Sequence, residues 1–159
     1  MSEEPLRSCE FDSKDLIVKL DLQFPAEMSA LAGVVAQVMD VIREIGCART
    51  KEFDVELALH EALVNAVVHG CRKDTNKLIQ LTVCCDKSRG LLMIVRDPGP
   101  GFDVNSIPSP VRGQNLFSSG GRGIFLINRL MDEVQFLEGG TEIRMLKRSD
   151  EPGASPHKR

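Results

Sequence analysis

Hydrophobic and polar positions alternate in one early stretch of the chain and then recur at helical spacing. Apolar side chains occupy every second position of Asp15–Phe24, which predicts a strand with one buried face. Over Met28–Ile45 apolar residues recur every three or four positions, which predicts an amphipathic helix, and Gly46 is a typical stop. Pro25 suits the first turn of this helix.

The remaining pattern predicts two further helices and four further strands. One helix is expected from about Lys51 to His69, and a second, with a glycine-rich start, over Gly121–Met131. Asp97–Gly120 has no periodicity, and so long a loop in a compact domain is usually functional or mobile. The predicted strands are Lys77–Cys85, Gly90–Arg96, Glu133–Glu138 and Thr141–Arg148, the last two joined by a two-residue turn at Gly139-Gly140.

The order of these elements, β-α-α-β-β-loop-α-β-β, decides the fold class. Strands that follow each other directly predict mostly antiparallel pairing, with the helices on one face of the sheet. We therefore predict an α+β fold, a two-layer α/β sandwich with a mixed, mostly antiparallel sheet. One domain is expected over residues 12–148, with a flexible tail over 1–11 and a disordered tail over 149–159.

Composition and charge narrow the classes of function. The 159 residues carry 20 Lys and Arg against 23 Asp and Glu, so the basic excess of a nucleic-acid binder is missing. The chain has no stretch of about 18 apolar residues and its N-terminus is acidic, so we expect a cytoplasmic protein without membrane contact. The five cysteines lack a C-x-x-C pair, which favours reduced thiols over a zinc site, and Cys84 and Cys85 would point to opposite faces of a strand.

Polar side chains interrupt the otherwise apolar second helix. Glu61 and Asn65 lie four residues apart, hence on one face, and His69 lies one step further. Taken alone, this strip is either a solvated face or one wall of a ligand cavity. In the second case Asn65 would offer an oxygen to a cation and Glu61 would act as a base.

Two glycine-rich clusters follow the polar helix. The first, Asp97–Gly101, is either a plain turn or a close approach of backbone to a ligand, with Asp97 as an acceptor. The second, Ser119–Gly123, is either a flexible loop or an anion cradle at a helix N-terminus, to which Arg122 adds charge. Together with Glu61 and Asn65, the two clusters supply metal, adenine and phosphate functions for one nucleotide.

These motifs resemble those of the GHKL ATPase superfamily. Glu61–Ala66 resembles its asparagine box, Asp97–Gly101 its first glycine box and Gly121–Gly123 its second. A narrower similarity, to the bacterial anti-sigma factor serine-protein kinases, spans about Leu16–Lys147. It is carried by the segments His60–Gly70, Ser119–Ile127 and Leu130–Val134. The resemblance implies a histidine kinase-like ATP-binding domain with the Bergerat-type fold.

The resemblance also implies a role for each matched residue. Asn65 would ligate Mg²⁺, and Glu61 would act as general base. Asp97 would accept a hydrogen bond from the adenine amine. His69 would be a helix-end cap or a phosphate-side contact rather than a phospho-acceptor. Phe102–Gly120 would be a lid over the ATP. The further nucleotide contacts would be Gly99, Gly101, Phe102, Gly120, Gly121, Arg122, Gly123, Ile124 and Thr141, with Arg122 also catalytic.

The activity implied by the resemblance is that of a protein-serine kinase. Such a kinase uses ATP to phosphorylate a serine of an anti-anti-sigma protein, and as a homodimer it sequesters a sigma factor or similar partner. The presence of Glu61 favours a kinase over a non-catalytic ATP-dependent switch of the same fold, which needs no base there. A nucleotidase-like remnant of another GHKL branch is a third reading.

Overall fold

A computed structural model describes residues 16–86, 88–99 and 119–149. In these ranges the chain forms β1 Leu16–Pro25, α1 Met28–Ile45, α2 Glu52–Asn65, β2 Leu78–Asp86, β3 Gly90–Arg96, α3 Ser119–Leu130, β4 Glu133–Leu137 and β5 Glu142–Arg148. A π-helical turn, Ala66–Gly70, continues α2, and short 3₁₀ turns lie at Arg49–Lys51 and Glu138–Gly140. None of the helices in these ranges has the length and apolar character needed to cross a membrane.

The five strands form one sheet in the order β1-β2-β3-β5-β4. Every neighbouring pair is antiparallel. The predicted α+β sandwich is therefore confirmed, and the described sheet is antiparallel throughout rather than mixed. Because β3 and β5 are direct neighbours, the chain segments that follow Arg96 and precede Glu142 emerge side by side from one end of the sheet.

The helices pack on one face of this sheet, as predicted. Buried side chains of all three helices join the inward-facing strand residues in one apolar cluster, and burial of each large side chain contributes roughly 1.5–3 kcal/mol. A smaller cluster lies on the opposite face. Prominent members of the main cluster are Leu31, Met39, Leu59, Leu63, Ile79, Leu81, Leu91, Met93, Ile127 and Met145. The smaller cluster consists of Cys84, Leu92 and Ile94, with Leu16 and Leu146 against it.

Two local predictions are wrong. Pro25 is the last residue of β1 and not part of a helix, because Glu27 is still extended and α1 begins only at Met28. The connection between β4 and β5 is longer than two residues, because Leu137 pairs directly with Glu142 and leaves residues 138–141 between them. By contrast, Gly46 ends α1 as predicted, with φ of 84° and its N–H bonded to the carbonyl of Ile42.

The cysteines correct a further expectation. Cys84 and Cys85 do point to opposite faces of β2, since Cys84 joins the smaller cluster and Cys85 faces the helices. However, Cys85 is paired with Cys47 as a disulfide, with the two Cα atoms 6.3 Å apart. The prediction of reduced thiols is therefore wrong for this pair, because the end of α1 brings Cys47 over the inward face of β2. Cys71 is a buried thiol.

Candidate functional site

The polar strip of α2 faces the beginning of α3. Glu61 and Asn65 are both half-buried. A Cβ built on Gly123 of α3 would stand 3.2 Å from Oε1 of Glu61 and 3.3 Å from Oδ1 and Nδ2 of Asn65. A side chain at position 123 would therefore press on both polar groups. Because another helix shares this strip, it is not simply the solvated face of a surface helix.

The end of α2 departs from α-helical geometry directly after Asn65. Ala66–Gly70 forms a π-helical turn, in which the N–H of Cys71 donates to the carbonyl of Ala66, five residues back, at 2.8 Å. The next residues, Arg72 and Lys73, take left-handed conformations with φ of 54° and 62°. π-helical turns are rare, and so are left-handed conformations at residues other than glycine. Single π turns are frequent at functional sites.

This turn brings Gly70 against the aspartate that follows β3. A Cβ built on Gly70 would stand 2.7 Å from Oδ1 of Asp97 and nearer still to Cγ and Oδ2. The N–H of Gly99 donates to Oδ1 of Asp97 at 2.9 Å. The N–H of Asp97 in turn donates to the carbonyl of Thr141 at 2.9 Å. Asp97–Gly99, the described part of the first glycine cluster, is thus packed directly onto the end of the polar helix.

Burial governs the electrostatics of this group. It raises the pKa of the Asp97 carboxyl above its usual range, against the hydrogen bond from Gly99 and the positive charge of Lys77, which lower it. Burial, together with the negative charge of Asp97, also raises the pKa of the neighbouring Cys71 thiol. A half-buried carboxyl with a perturbed pKa at the end of a strand is a typical component of a ligand site.

An ion triad on the outer face of the sheet holds the two strand ends together. Oε1 of Glu142 accepts from Nε of Arg96 at 2.7 Å, and its Oε2 accepts from Nε of Arg144 at 2.9 Å. Burial alone would raise the pKa of Glu142, but the two arginines hold it below its ordinary value. Arg96 directly precedes Asp97 and Glu142 directly follows Thr141, so the triad fixes the backbone from which both emerge.

A cavity of about 610 Å³ opens beside these strand ends. Its lining combines strand residues of the outer face with the loops before β2 and β5. Its walls include Asn76, Lys77, Gln80, Arg96, Asp97, Pro98, Thr141 and Glu142.

The structure brings most of the predicted site residues into one region. Ile124 follows Gly123 in α3 and is half-buried, and Gly120, Gly121 and Arg122 belong to the first turn of that helix. His69 lies in the π turn and is exposed. Gly101, Phe102 and nearly all of the predicted lid lie outside the described residues. Two features were not predicted from the sequence, Gly70 and the ion triad. The only sequence signal for Gly70 was its position directly after His69.

The fold and the convergence of these motifs define a class of protein. The class is an ATP-binding domain in which a carboxylate-and-amide helix meets a glycine-rich helix start and an aspartate-glycine turn. The family model for the histidine kinase-like ATPase domain matches residues 24–147, and the chain belongs to this family. The predicted resemblance to the GHKL ATPases and their anti-sigma factor kinase branch is confirmed.

Relatives of known name support this assignment. The chain is 28% identical over 136 residues to the serine-protein kinase RsbW of Bacillus cereus (strain AH820), covering 81% of this chain and 84% of that protein. The serine-protein kinase RsbW of Bacillus thuringiensis (strain Al Hakam) is 27% identical over the same length. The solved RsbU and RsbW domains of Rv1364c from Mycobacterium tuberculosis share the fold, with a TM-score of 0.61 at 22% identity. That match covers 85% of this chain and 33% of the solved chain.

Proposed function

We propose that this protein is an ATP-dependent serine-protein kinase of the anti-sigma factor type. The observation that carries the proposal is that α2 touches both other motifs. Its Glu61 and Asn65 lie against Gly123, and Gly70, at the end of its π turn, lies against Asp97. The proposed general base and cation ligand therefore lie on the helix whose end packs against Asp97, the carboxylate proposed to recognise adenine.

The residues present fit a magnesium nucleotide. The amide oxygen of Asn65 is a hard ligand of the kind that Mg²⁺ prefers. The Asp97 carboxylate would accept from the exocyclic amine of adenine, whereas guanine presents an oxygen there, and the unpaired carboxylate would cost about 1–3 kcal/mol. The amide groups at the start of α3 favour phosphate, and Arg122 in that first turn adds a positive charge.

Glu61 is the proposed general base for phosphoryl transfer. It would accept the proton of the substrate serine as the serine oxygen bonds to the γ-phosphorus and the bond from that phosphorus to ADP breaks. The protein's share of such a reaction is mostly positioning and charge neutralisation. Glu61 lies one helix turn before Asn65, the proposed cation ligand, and both side chains face Gly123.

The test is phosphate transfer from γ-labelled ATP to candidate anti-anti-sigma proteins. Glu61→Gln should keep Mg-ATP binding and lose transfer by roughly 10²-fold or more, since general bases contribute about 10²–10⁴-fold. Asn65→Ala should lose Mg-dependent binding. Glu56→Gln is the matched control, because Glu56 is exposed on the same helix and contacts Arg43.

Three results would contradict the proposal in different ways. If Glu61→Gln transferred phosphate at an undiminished rate, the assignment of the base would be wrong. If the wild type bound ATP tightly but transferred nothing to any candidate, the non-catalytic switch would be the better description. A wild type that bound no magnesium nucleotide would end both readings.

The partners belong to the same proposal. By similarity to the anti-sigma factor kinases, the protein would bind a sigma factor or a similar regulator and phosphorylate its antagonist in the cytoplasm. It would act as a homodimer, so sedimentation should give twice the chain mass of 17.5 kDa. Sedimentation at the mass of a single chain over the micromolar range would remove the dimer from the proposal.

A further inference from the structure

The end of α2 makes a contact with Asp97 that the proposed chemistry does not use. Gly70 is the last residue of the π turn, and a Cβ on it would stand less than 3.0 Å from all three atoms of the Asp97 carboxyl group. Real Cβ atoms do not approach other atoms so closely. The carboxylate can therefore keep its position only while residue 70 has no side chain.

We infer that Gly70 is a positioning residue that holds the Asp97 carboxylate in the orientation needed for adenine, and thereby helps to set selectivity for adenine over guanine nucleotides. This inference rests on the proposed function, because it takes Asp97 to be the group that receives the base. Gly70 closes one side of the carboxylate, and the N–H of Gly99 holds Oδ1 from another side at 2.9 Å.

The π turn is the feature that delivers Gly70 to this position. The N–H of Cys71 bonds to Ala66 at 2.8 Å, where an α-helix would bond it to Val67. The carbonyl of Val67 instead accepts from Lys73 at 2.8 Å. The turn begins immediately after Asn65, so one short backbone segment connects the proposed cation ligand to the residue that packs on the Asp97 carboxylate.

The obstacle at Gly70 is a side chain, which can rotate. In Gly70→Ala the methyl group would displace the Asp97 carboxylate from Gly99 without requiring the sheet or helix to move. We therefore expect this variant to fold, with Asp97 misplaced. The site's remaining elements, Glu61 and Asn65 against Gly123, would be unaffected.

The experiment is calorimetric titration of the full chain with Mg-ATP and with Mg-GTP. Gly70→Ala should lose roughly 10- to 100-fold in ATP affinity, with GTP affinity changed less than about 3-fold, because only adenine uses the carboxylate. Gly33→Ala is the matched control, since Gly33 also lies in a helix and a Cβ there meets nothing within 4 Å. It should leave both affinities unchanged. Equal losses for ATP and GTP in Gly70→Ala, or no loss, would overturn the inference.

Two further variants, Asp97→Ala and the double variant with Gly70→Ala, test the inference even if Gly70→Ala alone does not fold. With the carboxylate removed in Asp97→Ala, addition of Gly70→Ala should change neither thermal unfolding nor ATP affinity further. If Gly70→Ala alone is unstable, Asp97→Ala should restore its folding. A double variant as unstable as Gly70→Ala would overturn the inference. If the wild type binds no ATP, the proposed function and this inference are both refuted. If the wild type and Gly70→Ala prefer ATP over GTP to the same degree, only this inference is refuted.

Discussion

The Cα of Gly99 lies directly against the peptide carbonyl of Gly70. A Cβ on Gly99 would stand 2.7 Å from the carbonyl carbon and nearer still to its oxygen. Here the obstacle is backbone and not a movable side chain. The contact joins the aspartate-glycine turn to the helix that carries Glu61 and Asn65, so the two motifs cannot separate without breaking it.

Gly99→Ala should accordingly be costly to both stability and binding. The methyl group must push the end of the π turn away, which resembles overpacking of a core and should reduce the free energy of unfolding by about 1–3 kcal/mol. ATP and GTP affinities should fall together, because the whole turn moves. Urea unfolding and nucleotide titration, with Gly33→Ala as control, would check this. A stable variant with normal ATP affinity would contradict the observed contact.

Gly123→Ala is expected to separate folding from catalysis. Alanine is the better helix former by up to about 1 kcal/mol, so the free energy of unfolding should not fall. The new methyl group would stand 3.2–3.3 Å from Glu61 and Asn65 and shift them by a few tenths of an ångström. Phosphate transfer should fall of order tenfold, because reacting groups are sensitive to small misplacements.

The measurement is the transfer rate at saturating Mg-ATP beside thermal unfolding. Gly33→Ala should gain helix propensity without loss of rate. If both variants transferred phosphate at the wild-type rate, Gly123 would not constrain the Glu61–Asn65 pair.

The helices and strands of this fold could be predicted because the spacing of apolar residues along the chain differs between the two kinds of element. Gly90–Arg96 was predicted with its observed bounds, and the end of α1 at Gly46 was predicted correctly, whereas the start of α1 was placed too early, at Pro25. The connection at Gly139-Gly140 was not predicted, since two glycines fit a two-residue turn and the observed loop equally well. Its length is decided by the pairing of Leu137 with Glu142, which is a tertiary contact.

The same limit applies to the candidate site. The residue types at Glu61, Asn65 and Asp97 indicated their chemistry, and their order along the chain indicated a nucleotide. The π turn could not be predicted, because the apolar period of α2 runs through it unchanged. The role of Gly70 depends on that turn, so in sequence the residue looked only like a helix stop.

The buried Glu142 should make stability depend on acid pH. Its pKa is lowered in the folded protein, so its stabilising effect is present above the unfolded value of about 4.3 and is lost as the pH falls through the folded value. Glu142→Gln removes the negative charge that Glu142 places between Arg96 and Arg144. It should lose about 3 kcal/mol of unfolding free energy at pH 7, at the low end for breaking a buried ion pair.

The check is urea unfolding between pH 7 and pH 3. The difference between wild type and Glu142→Gln should shrink as the pH falls below about 4.3. Glu133→Gln is the control, because Glu133 makes an exposed ion pair with Arg148 at 2.5 Å and exposed pairs contribute at most about 1 kcal/mol. A pH-independent difference would mean that the charge of Glu142 is not what stabilises the strand ends.

Asp97 should have the opposite effect, because burial raises its pKa in the folded protein. The Asp97 carboxyl ionises less readily in the folded than in the unfolded protein. The free energy of unfolding therefore falls as the pH rises from the unfolded pKa of about 3.9 through the pKa of the folded state. Asp97→Asn removes that cost and still accepts from Gly99. Despite losing the attraction to Lys77, it should be more stable than the wild type at pH 7 by of order 1 kcal/mol, while ATP binds more weakly. The difference should vanish below about pH 3.9. Asp40→Asn is the exposed control and should leave both the unfolding free energy and the ATP affinity unchanged. If Asp97→Asn were less stable than the wild type at pH 7, the carboxylate would be kept for stability and not for a ligand.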